Sequence, residues 1–166
     1  MFSPSFPLSA EGSVSDIFVG VVDTPISAEQ LLREVGGEDR GAAVLFLGTV
    51  RDHNEGKRVL QLNYSAYREM AERELAKVAS SVREKWGMAS VAILHRVGEM
   101  KPGEVSVAIA VAAGHRKGTF DACREAIETL KKSVPIWKEE IYEDGRQWLD
   151  CSKDHEHGEG KRNEIA

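Results

Sequence analysis

Apolar positions recur along this chain with two different periods, and the changes from one period to the other mark its elements. Asp16 to Val22 has the character of a short strand. Ser27, with Gln30 following, resembles a capping box and opens a helix that carries Leu31, Leu32 and Val35 before Gly36 and Gly37 end it. Ala42 to Val50 is a nearly continuous apolar run, short enough for a buried strand rather than a helix, and it empties into a polar loop from Arg51 to Lys57. From Val59 to Tyr67 the alternation of Leu60, Leu62 and Tyr64 is that of a strand with one buried face.

Arg68 to Trp86 places Ala71, Leu75, Val78, Ala79, Val82 and Trp86 on one helical face and an i,i+4 pair, Glu69 with Arg73, on the other; Gly87 stops it. Val91 to Val97 and Val105 to Ala113 read as a hairpin, joined through Lys101, Pro102 and Gly103. Thr119 to Val134 repeats Phe120, Cys123, Ile127, Leu130 and Val134 at helical spacing until Pro135 closes it, and Ile136 to Tyr142 returns as a strand. From Val59 onward the order is strand, helix, strand, strand, helix, strand. That order predicts an α+β fold with a split βαβ, ferredoxin-like core, to which the Ala42 strand adds.

A chain of 166 residues holds one domain of ordinary size, placed at 16–150, with a Ser, Pro and Gly-rich extension at 1–15 and a charged tail at 151–166. No apolar run is long enough to span a bilayer, and the first residues lack the pattern of a signal peptide. Cys123 and Cys151 make no disulfide framework, so a reducing, cytoplasmic setting is expected. The formal net charge of -5 disfavours a protein coated in basic residues for nucleic acid, and any anion site must be local.

Three segments deliver basic groups where elements end. In Gly48-Thr49-Val50-Arg51-Asp52-His53-Asn54 the strand breaks into loop, and Arg51 either clamps a phosphate through its planar fork or pairs on the surface with Asp52 or Glu55. Gly114-His115-Arg116-Lys117-Gly118 precedes a helix, where exposed N–H groups suit an anion; a solvated turn is the equal alternative. In Leu130-Lys131-Lys132, Lys131 borders the apolar face at i+4 from Ile127, while Lys132 lies over Glu128 as an exposed ion-pair member. Lys131 is either held in a partly dry pocket, useful as an acid, base or nucleophile, or snorkels to water. Trp137 is expected to pack in the core or an interface, and Arg146, near Trp148, either reaches the same pocket or covers a turn. No phosphate-binding glycine loop, nucleophile elbow or zinc pattern is present, and His155-Glu156-His157 reads as charged tail, so neither metal nor cofactor is assigned.

Taken in order, Gly48-x-Val50-Arg51-x-His53-Asn54, His95-Arg96-x-Gly98-Glu99 with Pro102-Gly103, His115-Arg116, and Leu130-Lys131-x-x-x-Pro135-x-Trp137-Lys138 resemble the MoaE family, the catalytic subunits of molybdopterin synthase. The resemblance spans Asp16 to Asp150. It implies an α/β hammerhead-like core with a smaller antiparallel β subdomain. It also implies a homodimer within a heterotetramer, each protomer bound to a small ubiquitin-like sulfur carrier of the MoaD type. The carrier's C-terminal Gly-Gly thiocarboxylate supplies sulfur to cyclic pyranopterin monophosphate, making a dithiolene. By the same resemblance Lys131 and Lys138 are catalytic, and Thr49, Val50, Arg51, Glu139, Glu140 and Arg146 line the substrate site together with His115 and Arg116 from across the dimer.

Two other readings compete. An RNA-recognition module shares the split βαβ order, but the Val105 to Ala113 strand has no aromatic on which to stack a base. A passive anion-binding domain accounts for Arg51 and His115 but gives Lys131 no special burden.

Overall fold

A computed structural model describes residues 16–150. Chain order runs β1 (Ile17–Val22), α1 (Ala28–Val35), β2 (Ala42–Thr49), β3 (His53–Asn54), β4 (Lys57–Ala66), α2 (Arg68–Trp86), β5 (Ser90–Arg96), β6 (Gly98–Met100), β7 (Val105–Ala113), α3 (Thr119–Ser133), β8 (Ile136–Tyr142) and β9 (Gly145–Asp150). The expected extension at 1–15 and the tail at 151–166, with Cys151 and its histidines, lie outside the described residues.

β5 and β7 are apolar on both faces because both faces are covered, and they pair antiparallel at the centre of a four-stranded sheet of order β1-β5-β7-β2. On one side Val91, Ile93, Ile109 and Val111 meet Leu75, Val82, Ala126 and Leu130 of α2 and α3. On the other, Ala92, Ala108, Ala110 and Ala112 leave room for Leu31 and Val35 of α1. Ser27 caps α1 through a bond from the Gln30 N–H, and Gly87 ends α2 in the left-handed region at φ 64°. The Glu69–Arg73 pair forms as read.

The mixed α+β class and the second, smaller sheet are as expected; the wiring of the split βαβ unit is the correction. Its outer strands, β4 and β8, leave the first sheet and pair with one another in the second, where β3, β6 and β9 join them. Their places beside β5 and β7 go to β1 and β2. β4 carries a small core of its own, in which Val59 and Leu62 pack with Val50, Met100 and Tyr142.

Three local expectations also change. The Ala42 run is an edge strand rather than a buried one, with Phe46 and Leu47 36% and 38% exposed. Phe120 sits in the first turn of α3, before the helix meets the sheet, and is exposed. For Trp137, expected in the core or an interface, only the core alternative falls, because strand alternation turns it away from its buried neighbours Ile136 and Lys138. β3, within the expected polar loop, and β6 and β9 are additions that the sequence reading did not include. Leu75 is fully buried between α2 and the sheet. Leu75→Ala is expected to lower unfolding free energy by about 3 kcal/mol, read from urea midpoints at constant m.

Candidate functional site

Where α3 ends and the two sheets meet, a cleft with about 870 Å³ of empty space, its open mouth included, collects side chains from both. β2 and the segment after it contribute Thr49, Arg51 and Asn54; α3 contributes Lys131; β8 contributes Lys138 and Glu140. The floor is apolar, with Phe46, Leu62, Val107, Ile127 and Leu130. Three basic side chains, Arg51, Lys131 and Lys138, therefore face one carboxylate, Glu140, in a chain whose net charge is -5. Such a pocket favours an anion with an apolar or planar body.

Each cation is placed by a different local device. A register shift between Gly48 and Thr49 breaks β2, and Val50 then anchors the chain: its side chain is buried, its N–H donates to the Glu104 carbonyl (2.9 Å) and its carbonyl accepts from the Gly103 N–H (2.8 Å). Arg51 follows directly. Asp52 pairs with His53 (2.6 Å) rather than with Arg51, and that bond is the main reason its carboxyl lies below the usual range. Lys131 lines the cleft at the last turn of α3, whereas Lys132 is exposed and does not.

Lys138 and Glu140 share the inward face of β8, 7% and 3% exposed, with Nζ and Oε1 3.5 Å apart. The other Glu140 oxygen accepts from Asn54 Nδ2 (2.9 Å) and from the Tyr142 hydroxyl. Burial, together with donation to Glu140, raises the Tyr142 pKa. A buried carboxylate with this many donors is held in place.

Not every sequence-predicted residue reaches the cleft. Glu139 lies on the opposite face of β8 and pairs with Arg146 of β9 at 3.4 Å; neither lines the pocket. Alternation along β8 is the cause, since only every second residue can face inward. His115 and Arg116 line a separate depression with Lys117 and Phe120, ahead of α3. Within one chain that depression and the cleft share no residue.

The cleft also holds residues that sequence reasoning did not assign. Asn54, Tyr64 and His95 line it, and Tyr142 reaches it through Glu140. His95 is 5% exposed; burial is the first cause that pushes its pKa down to about 4, with the Lys131 charge adding to it against a bond to the Arg96 carbonyl. Asn54 and His95 both stand in the motifs that carry the family resemblance, but neither was given a role there. Among the described residues no cluster of metal-ligating side chains is found.

Because the folded state holds His95 neutral while the unfolded chain protonates near pH 6.5, His95 withdraws stability as pH falls from there towards 4. Urea melts at pH 4.5 and 7.5 are expected to show His95→Gln losing less stability over that interval than wild type. The difference should be on the order of 3 kcal/mol, and parallel curves would refute the burial of a neutral imidazole.

Comparison with known proteins gives a consistent result. The family model described as MoaE protein matches residues 21–133. The chain is 46% identical over 129 residues to the molybdopterin synthase catalytic subunit of Bacillus subtilis (strain 168), covering 78% of this chain and 82% of that one. Among solved structures, molybdopterin synthase from Staphylococcus aureus superposes with a TM-score of 0.75 at 41% identity, over 78% of this chain and 95% of that one. A complex of subunits 1 and 2 of molybdopterin-converting factor from Helicobacter pylori 26695 shares the fold, with a TM-score of 0.66 at 20% identity, over 82% of this chain and 91% of that one.

Proposed function

The chain belongs to the MoaE protein family and is an enzyme, and from that premise we propose that it is a sulfurtransferase acting on cyclic pyranopterin monophosphate. The sulfur arrives on the C-terminal thiocarboxylate of a small ubiquitin-like carrier of the MoaD type. Two successive transfers build the dithiolene of molybdopterin, and each leaves the carrier's tail as a carboxylate, with water supplying the oxygen. The observation that carries this reading is the cationic cleft with an apolar floor in an acidic chain. A phosphate and a thiocarboxylate must share one pocket, and three cations offset both.

Lys131 and Lys138 are the catalytic groups in this proposal. They stabilise developing oxyanions and move protons while sulfur attacks the pterin side chain. Arg51 and Thr49 hold substrate at the cleft mouth, and Glu140, 3.5 Å from Lys138 Nζ, aims that ammonium. Val50, Glu139 and Arg146 act through structure: Val50 anchors Arg51, and the Glu139–Arg146 pair braces the β8–β9 ribbon.

The chain acts as a homodimer within a heterotetramer, and His115 with Arg116 completes the cleft of the second protomer. Support comes from the apolar edge strand β2, whose exposed Phe46 and Leu47 are of the kind that a second copy covers, and from the position of His115 and Arg116 outside their own cleft. The catalytic domain is assigned to 16–150, between an N-terminal extension at 1–15 and a charged tail at 151–166, and the setting to the cytoplasm; among the described residues no helix is long and apolar enough to cross a membrane.

Lys131→Ala is expected to abolish dithiolene formation from thiocarboxylated carrier and cyclic pterin, with circular dichroism and carrier affinity unchanged. Wild-type activity in that variant would remove Lys131 from the mechanism. A mixing experiment tests the shared site. Lys131→Ala and the double variant His115→Ala, Arg116→Ala, each inactive alone, are expected to recover product when co-refolded, because one cleft of the mixed dimer is then intact. Persistent inactivity with mixed dimers present would place both groups in the same protomer's site.

A further inference from the structure

Both carboxylate oxygens of Glu140 are held. Oε1 lies 3.5 Å from Lys138 Nζ, while Oε2 accepts from Asn54 Nδ2 at 2.9 Å and from the Tyr142 hydroxyl. Rotation about the last side-chain bond of a glutamate is soft, so the contact with Lys138 alone does not fix which oxygen faces the lysine. Donors on Oε2 do fix it. Of the two ends of the Asn54 amide only Nδ2 can serve, because the flipped amide would set its carbonyl oxygen against the carboxylate.

Tyr142 stands two residues along the same strand as Glu140 and moves with it. Asn54 comes from 86 positions earlier, and its approach is built into the β3–β4 hairpin. The two-residue turn between Asn54 and Lys57 has φ 49° at Glu55 and 78° at Gly56, the left-handed pair that suits the tightest hairpins. Asn54 is in register with Lys57, whose ammonium reaches Asp144 in the β8–β9 turn at 3.1 Å. The Val59 N–H closes the ribbon on the Asp52 carbonyl at 2.8 Å. A short, backbone-bonded ribbon thus presents the amide to β8.

We propose that Asn54 is a positioning residue for the sulfur-transfer reaction: by holding Oε2 of Glu140 it turns Oε1 to Lys138 and fixes where that ammonium stands in the cleft. The catalytic consequence rests on the sulfurtransferase reading; the positioning does not. A neutral amide suits the task. A cation at position 54 would compete with Lys138 for Glu140 and a carboxylate would repel Glu140, whereas an amide donor holds the carboxylate without adding charge to the cleft.

The test uses the full chain in complex with its thiocarboxylated carrier, as wild type, Asn54→Ala, Asn54→Asp, Glu140→Gln and the double variant Asn54→Ala, Glu140→Gln. Aspartate has the shape of asparagine and suits the same kind of turn, so a merely structural role predicts that Asn54→Asp behaves as wild type. Expected instead is a kcat lower by about tenfold in Asn54→Ala, the scale of one hydrogen bond to a charged group, and lower still in Asn54→Asp, with KM for the cyclic pterin nearly unchanged in both. In the Glu140→Gln background Asn54→Ala should bring no further loss, since the group through which it acts is already altered. Wild-type kcat in Asn54→Asp, additive losses in the double variant, or a raised KM at unchanged kcat would overturn the proposal. Side-chain ammonium NMR reads the contact without turnover: the Lys138 signal should broaden in Asn54→Ala and Asn54→Asp while circular dichroism stays that of wild type, and an unchanged Lys138 signal would equally overturn it. If the wild-type complex forms no dithiolene, the sulfurtransferase reading fails, while the NMR comparison still decides the role of Asn54.

Discussion

Holding Lys138 and Glu140 together out of water is the constraint on which the rest of the site depends. Desolvating two charges costs more than their attraction returns unless the remaining lone pairs and protons are satisfied. The chain meets that condition with partners from distant segments. Asn54 approaches from β3, and Tyr142 stands two residues along the same strand as Glu140. For both to arrive, β3, β4 and β8 must share a sheet, as they do. The departure of β4 and β8 from the central sheet is thus tied to the chemistry at their junction.

The central sheet has the complementary task of rigidity. β5 and β7 are buried on both sides and bring α3 to a fixed height, which sets where Lys131 stands. Val50 does the same for Arg51 by tying its backbone to the turn before β7. That turn is itself held by Glu104, whose carboxylate accepts from the Lys101 N–H (2.6 Å) and from Arg96 (2.9 Å). Cations that repel one another are thereby kept in place by elements that cannot relax apart independently.

What could be read in the sequence followed from local periodicity. The bounds of α2 and α3, the capping of α1 and the strands β5, β7 and β8 are each written in spacings of a few residues, and Lys131 was separable from Lys132 by helical geometry alone. What could not be read depends on pairing between distant segments. Nothing in the alternation of Val59 to Tyr67 states which strand it joins, so β4 read equally well as part of the central sheet. The same limit left Asn54, though part of a family motif, without a role, because its importance is a bond to a residue 86 positions away. Glu139 shows a different failure: a run of charged neighbours was taken together, although the two-residue period of a strand can admit only alternate members to one side.

In the proposed reaction, two clefts built from single chains would leave the phosphate end of the substrate poorly held, because Arg51 is exposed at the mouth and, among the described residues, only the two deeper lysines join it in the cleft as further cations. The depression at His115 and Arg116 offers the missing charge in the wrong place for its own protomer. β2 supplies the other half of the problem, an unpaired edge with large apolar side chains that water would not stabilise. The proposed twofold association would answer both, since covering the edge of one copy can bring the loop before α3 of the other towards the open mouth. In such an arrangement association and anion recognition become the same event, and a protomer alone is an incomplete enzyme.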